Sequence, residues 1–166
     1  MMQEPQATRF EEETPLMPKP TQQVAKLKEG TVLDHLRAGT GLRCLRVLKL
    51  PAGTTVTIGI NLTSKRLERK DIIKIERYEL SEAEAAKVAL ISPDATLSII
   101  RDYKVVGKHG LHPPVAFRGL LKCTNPACIV HTERVPGAFV VESREPLTVR
   151  CDYCERSIPA DQFEFA

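Results

Sequence analysis

Four of the five cysteines stand in two close pairs, Cys123 and Cys128 in a C-x4-C spacing and Cys151 and Cys154 in a C-x2-C spacing. Thiolates are soft ligands, and two short-spaced pairs brought together from separate loops make the tetrahedral sulfur set that Zn2+ or iron accepts. A tight knuckle lets both sulfurs of a pair face one point, and Asn125-Pro126 and Asp152-Tyr153 suit such turns. Two disulfides or four unrelated cysteines are the alternative, which the paired spacing disfavours. Zinc is expected rather than iron, because nothing else in the chain suggests electron transfer. An all-thiolate shell is closed and electron-rich, so the metal is expected to be structural, with no catalytic residue assigned. Lys122, Arg150 and backbone N–H groups are expected to offset the negative charge of the sulfurs.

A zinc module of about 45 to 50 residues buries too little apolar surface to fold on that alone, so its metal must supply folding free energy. With 166 residues in all, roughly the first two thirds remain for a second domain. The net charge of +3 is mild and spread among many acidic residues, and there is no Trp. A nucleic-acid surface, with its basic stripe and stacking aromatics, is therefore not expected. No apolar run is long enough to span a membrane and the N-terminus lacks the regions of a secretory signal. A reducing cytoplasm suits four free thiolates.

Residues 1–22 are dominated by Pro, Gln and Glu without apolar periodicity and are expected to form a flexible tail. Gly30 to His35 reads as a strand entering a loop. Thr40 is placed to cap a helix in which Leu42, Leu45, Leu48 and Cys44 share a face, ended by Pro51-Ala-Gly53; a strand also fits these residues. Thr54 to Asn61 and Lys70 to Glu76 read as strands, the second with Ile73 and Ile75 on one face and Ile72, Lys74 and Glu76 on the other. Ser81-Glu-Ala-Glu84 is a capping box opening an Ala-rich helix that stops before Ser92-Pro93. Ala95 to Ile100 and Tyr103 to Val106 read as two more strands. The order is β-α-β-β-α-β plus one strand, so the expected fold class is α+β: a ferredoxin-like domain over residues 23–108, helices on one face of an antiparallel sheet. A linker at 109–117 leads to a small β-rich zinc domain at 118–166 that holds all four paired cysteines. His109, His112 and His131 are expected to be loop residues outside the full metal shell.

Several of these stretches carry a more specific signal. Gly30-Thr-Val-Leu-Asp-His35, Thr57-Ile-Gly-Ile-Asn-Leu62, Arg69-Lys-Asp-Ile-Ile-Lys-Ile-Glu76, Tyr103-Lys-Val-Val-Gly-Lys108 and the four spaced cysteines occur in the order found in aspartate carbamoyltransferase regulatory chains. From Val24 onward the chain resembles that family. The resemblance implies a non-catalytic chain: an allosteric domain binding ATP, CTP and often UTP, then a zinc domain docking on a separate catalytic chain. It further implies two catalytic trimers joined by three regulatory dimers, serving pyrimidine biosynthesis.

The resemblance also implies roles by position. Asp34 would accept hydrogen bonds from ribose hydroxyls, His35 would lie near the phosphates, and Lys108 would pair with them. Lys74 would bond ribose and base, and Lys70 lies where a second nucleotide or metal-bound effector is associated. Leu27 and Tyr103 would read the base edge through backbone groups, while Val24, Ile72, Ile100 and Val105 form an apolar wall. Ser98 stands where the family commonly has Asn, and Lys26 where a small residue is usual. Asn125, Tyr153 and Glu155 would meet the catalytic chain, with Ala127 in place of a familiar Asn. A nucleic-acid-binding zinc module is the rival reading, since both folds serve that role elsewhere. It lacks support, because Thr54 to Asn61 offers no exposed aromatic for stacking bases.

Overall fold

In the computed structural model, which describes residues 25–166, the first strand β1 (Gly30–Arg37) is the middle of a five-stranded antiparallel sheet. Its neighbours are β3 (Glu68–Glu76) and β4 (Thr96–Arg101), and β2 (Val56–Ser64) and β5 (Lys104–Gly110) form the edges in the order β2-β3-β1-β4-β5. Helices α1 (Gly41–Leu48) and α2 (Glu82–Ile91) connect β1 to β2 and β3 to β4. This is the ferredoxin-like order, with β5 as the added strand. Strand alternation sets the two faces: Leu33, Ile73, Ile75 and Leu97 point toward the helices and join Cys44, Leu48, Val88 and Ala89 in the core. The expected tail and Val24 lie outside the described residues.

The two helices begin by different means. At α2, the Ser81 hydroxyl accepts from the Glu84 amide at 3.3 Å while Glu84 accepts from the Ser81 amide at 2.8 Å, the reciprocal box that the spacing implies. At α1, Thr40 holds the cap position, but its hydroxyl donates back to the Arg37 carbonyl at 2.7 Å. The first amide of that helix, Gly41 N–H, instead donates to Asp71 Oδ2 on β3 at 2.8 Å. A Cβ at position 41 would sit 3.0 Å from that oxygen, so glycine permits the close approach. Asp71 Oδ1 accepts from the Asn61 amide at 2.8 Å, holding the irregularity in β2 between Gly59 and Leu62. Anchored at Gly41, α1 turns Gly41, Cys44 and Leu48 inward and leaves Leu42, expected on the buried face, 51% exposed.

Two boundaries differ from expectation. Asp102 and Tyr103, at φ 47° and 62°, form a two-residue turn that matches the twist of its flanking strands, so the last strand of the sheet starts at Lys104. That strand continues to Gly110 and Leu111 packs in the first core, so the chain leaves the sheet later than residue 109. His109 is accordingly a strand residue.

Beyond it come β6 (Ala116–Arg118), β7 (Leu121–Lys122), a single helical turn α3 (Ile129–Thr132), β8 (Ala138–Arg144), β9 (Leu147–Cys151), β10 (Ser157–Pro159) and β11 (Glu164–Phe165). A sheet ordered β10-β9-β8-β6 and the pair β11-β7 enclose Leu121, Phe139, Val149 and Ile158. The two units share α2: Val88, Ala89 and Ile91 pack in the first core, and Leu90 is fully buried in the second. Arg43 Nη2 donates to the carbonyls of Ala160 and Phe163 at 3.0 and 3.3 Å, and Lys49 and Lys87 donate to that of Ala166 at 3.0 and 3.2 Å. Among the described residues no helix is long and apolar enough to cross a membrane.

Candidate effector and metal sites

The loop after β7, the end of β9 and the loop that follows it bring four sulfurs together. Cys123, Cys128, Cys151 and Cys154 place their Sγ atoms within 4.8 Å of one another. Cys123 to Cys154 is 3.5 Å and Cys128 to Cys151 is 3.9 Å. A tetrahedron with metal–sulfur bonds of about 2.3 Å has sulfur–sulfur edges of about 3.8 Å, so the set fits one metal ion. A disulfide would require about 2.05 Å, and all five cysteines are free thiols. Burial pushes the Cys123 thiol up to about 12. Cys154 is drawn down to about 6 against the same burial effect, by the Arg156 amide and the groups around it. A divalent cation supplies the charge that lets all four sulfurs be thiolates together.

Local hydrogen bonds shape this knuckle. The Asn125 amide donates to Cys123 Sγ at 3.4 Å, and Asn125 Oδ1 accepts from the Ala127 amide at 3.1 Å. His131, expected in a loop, lies in α3, and its Nε2 is 2.9 Å from the Cys123 carbonyl. Its ring braces a ligand loop rather than a metal. Tyr153 and Glu155 are exposed beside the second pair, with Arg118 donating to the Tyr153 hydroxyl at 3.3 Å.

The second cluster forms on the helix-free face of the large sheet. Lys70, Ile72 and Lys74 alternate with buried Asp71, Ile73 and Ile75, which turns them to that face. Register extends the row across the sheet: Lys74 is opposite Val32, Val32 opposite Ser98, and Ser98 opposite Lys108, with Ile100 opposite Val105. On the β3 side, β1 slips register between Leu33 and Leu36, and His35 has φ 55°. This bulge re-aims two side chains. Asp34 Oδ1 meets Lys70 Nζ at 2.7 Å and accepts from the His35 amide at 2.7 Å, while Oδ2 is 3.5 Å from His35 Nδ1.

Burial works against ionisation of Asp34, but the Lys70 ammonium and the His35 amide hold its pKa below the usual carboxylate value. Burial, and then the charges of Lys70, Arg66 and Lys108, hold the His35 imidazole below its ordinary value, with Asp34 opposing. His35 Nδ1 is buried without a hydrogen-bond partner. At the other end of the row, Lys74 bonds to the Ala25 carbonyl and its pKa is lowered by burial. Leu27 and Tyr103 line a cleft of about 500 Å³ there, and the Tyr103 amide donates to the Lys28 carbonyl at 3.0 Å. Lys70, Ile72, Lys74, Ser98, Ile100, Val105 and Lys108 thus share one face, with Asp34 and His35 at the bulge and Leu27 and Tyr103 in the cleft. Arg66, to which the sequence assigns no role, sits in the β2–β3 turn; two cationic residues at a hairpin tip next to Lys70 are the available signal.

Comparison with known proteins agrees with this two-part layout. Residues 22–112 match the aspartate carbamoyltransferase regulatory chain allosteric domain, and residues 116–164 match the metal binding domain of the same chain. An aspartate carbamoyltransferase regulatory chain of Pyrococcus abyssi is 49% identical over 142 residues, covering 84% of this chain and 93% of that protein. The corresponding chain of Methanopyrus kandleri is 49% identical over 142 residues, covering 84% and 91%. That of Methanocaldococcus jannaschii is 46% identical over 149 residues, covering 90% of this chain and all of its own length. A sheet domain with a cationic face, a four-thiolate module and relatives matched across both parts place this chain in the family of aspartate carbamoyltransferase regulatory chains, as a regulatory rather than a catalytic subunit.

Proposed function

We propose that this chain binds nucleoside triphosphates on the helix-free face of its sheet and transmits their binding to a catalytic chain docked on its metal module. The observation that carries the reading is one face on which Lys74 stands by the Leu27–Tyr103 cleft, Lys70 meets Asp34 beside His35 four residues back along the same strand, and Lys108, level with Lys74 across the sheet, bears on His35 by its charge. Base and ribose belong at the Lys74 end, beside Ile72, Ile100, Val105 and Ser98. Phosphates belong at the other end, where cations bear on a His35 nitrogen that makes no hydrogen bond. ATP and CTP, with UTP, are the proposed effectors of an enzyme of pyrimidine biosynthesis. An effector shifts the assembly between two states only by the difference in its affinity for them, on the order of 1–3 kcal/mol. Zn2+ is the proposed metal, because four sulfurs at tetrahedral spacing suit it and leave no open position. Asn125, Tyr153 and Glu155 are the proposed contacts to the catalytic chain, in an assembly of two catalytic trimers and three regulatory dimers in the cytoplasm.

Lys108→Ala tests the orientation of the nucleotide. Removing one charge-assisted phosphate contact is expected to weaken ATP and CTP binding about tenfold or more, without releasing the catalytic chain. Calorimetric titration together with the mass of the assembly checks both halves; unchanged affinity contradicts the phosphate assignment.

A second expectation follows from His35. In the free chain its lowered pKa keeps it neutral at pH 7. A phosphate alongside favours the imidazolium and raises that pKa, so binding takes up a proton and strengthens as pH falls from about 8 to about 6. Titrations in that range are expected to show a steeper pH dependence for the wild-type chain than for His35→Gln.

A further inference from the structure

A step of four residues along a strand spans about 13 Å, so Lys74 and Lys70 are separated by much of the length of an extended nucleotide. Beyond Lys70 the strand reaches the β2–β3 turn, and Arg66 is in that turn. Its amide, like that of Leu67, is held by the Ser64 hydroxyl at 3.3 Å. Its guanidinium donates to the Asp94 carbonyl at 3.3 Å, in the connection between α2 and β4. In the order β2-β3-β1-β4, a side chain running from that hairpin to the residue just before β4 must cross the end of β1. The bulge that carries Asp34 and His35 is at that end.

Charge pairing makes the crossing significant. Lys70 is neutralised by Asp34 at 2.7 Å, and the Asp94 carboxylate is turned to His112 at 3.3 Å rather than to Arg66. Of the cations whose charge bears on His35, Lys70 has a carboxylate partner, and Arg66 and Lys108 make no ion pair among the described residues. One guanidinium N–H is used on Asp94, and the planar fork has further donors suited to phosphate oxygens.

Resting on the proposed nucleotide site, we infer that Arg66 is a specificity residue for phosphate number, its guanidinium crossing the end of β1 to bind the terminal phosphate of a nucleoside triphosphate. Lys108 acts on the phosphate chain generally, whereas Arg66, past the last strand residue, lies beyond the reach of a monophosphate. The site therefore distinguishes triphosphates from monophosphates largely through one side chain.

The test is calorimetric titration of the full, zinc-loaded chain with ATP, ADP and AMP in the wild type, Arg66→Ala, Arg66→Gln and Lys108→Ala. Gln keeps a donor for the Asp94 carbonyl but removes the charge, which separates bracing of the hairpin from phosphate binding. Both Arg66 variants are expected to lose about tenfold in ATP affinity while AMP affinity stays within about twofold, so that the ATP-to-AMP ratio collapses. A wild-type ratio in Arg66→Gln together with a reduced one in Arg66→Ala makes Arg66 only a brace and overturns the inference. So does a wild-type ratio in both variants while Lys108→Ala loses ATP, which leaves the nucleotide site standing. Failure of the wild-type chain to bind any of the three nucleotides overturns the site and the inference together.

Discussion

Cys128→Ser is expected to leave residues 116–166 without stable structure at 25 °C. A structural zinc site contributes apparent free energies of about 10–16 kcal/mol, as much as the entire stability of a typical domain. The module that depends on it has a small core built around Phe139, Val149 and Ile158. The ligand cysteines Cys123, Cys128 and Cys151 belong to that same core, so losing the metal also places unpaired thiols in it. A chelator is expected to reproduce the variant. Amide dispersion in NMR spectra, read with the metal content, checks this: collapse of signals from the last third of the chain is the expected result. The rest of the chain does not escape entirely. Leu90 of α2 is fully buried by the metal module, and its exposure is expected to cost the sheet domain about 1.5–3 kcal/mol. Binding at the proposed nucleotide face is expected to persist in the chelated chain, since Asp34, His35 and Lys70 are on the opposite face of the sheet from α2.

Asp71→Ala is expected to destabilise the sheet domain by about 2–5 kcal/mol, because it strands two backbone N–H donors that its carboxylate satisfies. One opens α1 at Gly41 and the other fixes β2 at Asn61, both at 2.8 Å from a fully buried side chain. Asp71→Asn keeps a single acceptor and is expected to lose about half as much. Denaturant unfolding followed by circular dichroism decides it, and a loss below about 0.5 kcal/mol for the alanine variant contradicts the assigned role.

What is legible in the sequence follows a physical divide between local and distant interactions. The Ser81–Glu84 box is written within four residues and forms as its spacing implies. The alternation of Ile73 and Ile75 against Ile72 and Lys74 fixes a face by period two, and the sheet obeys it. The cysteine spacing specifies two knuckles, and the fold joins them. The start of α1 depends on Asp71, thirty positions away, whereas the local pattern points to Thr40 as the cap and Leu42 as buried. The bulge at Asp34 and His35 has no local mark, since it arises from pairing with β3. Leu90 looks like one more apolar residue of an Ala-rich helix; that it serves the second core is a property of domain packing. At Arg66 the local signal is only a pair of cationic residues in a turn, because its relation to His35 runs across strands rather than along them.

The most direct measurement is to add the zinc-loaded chain to isolated aspartate carbamoyltransferase catalytic trimers from the same source, following mass and aspartate saturation with ATP, CTP or UTP present. A larger, metal-dependent assembly whose aspartate curve moves with nucleotide is the expected result. If no assembly forms with the metal bound, or if one forms whose aspartate curve ignores all three nucleotides, the proposed coupling between the cationic face and the metal module is contradicted.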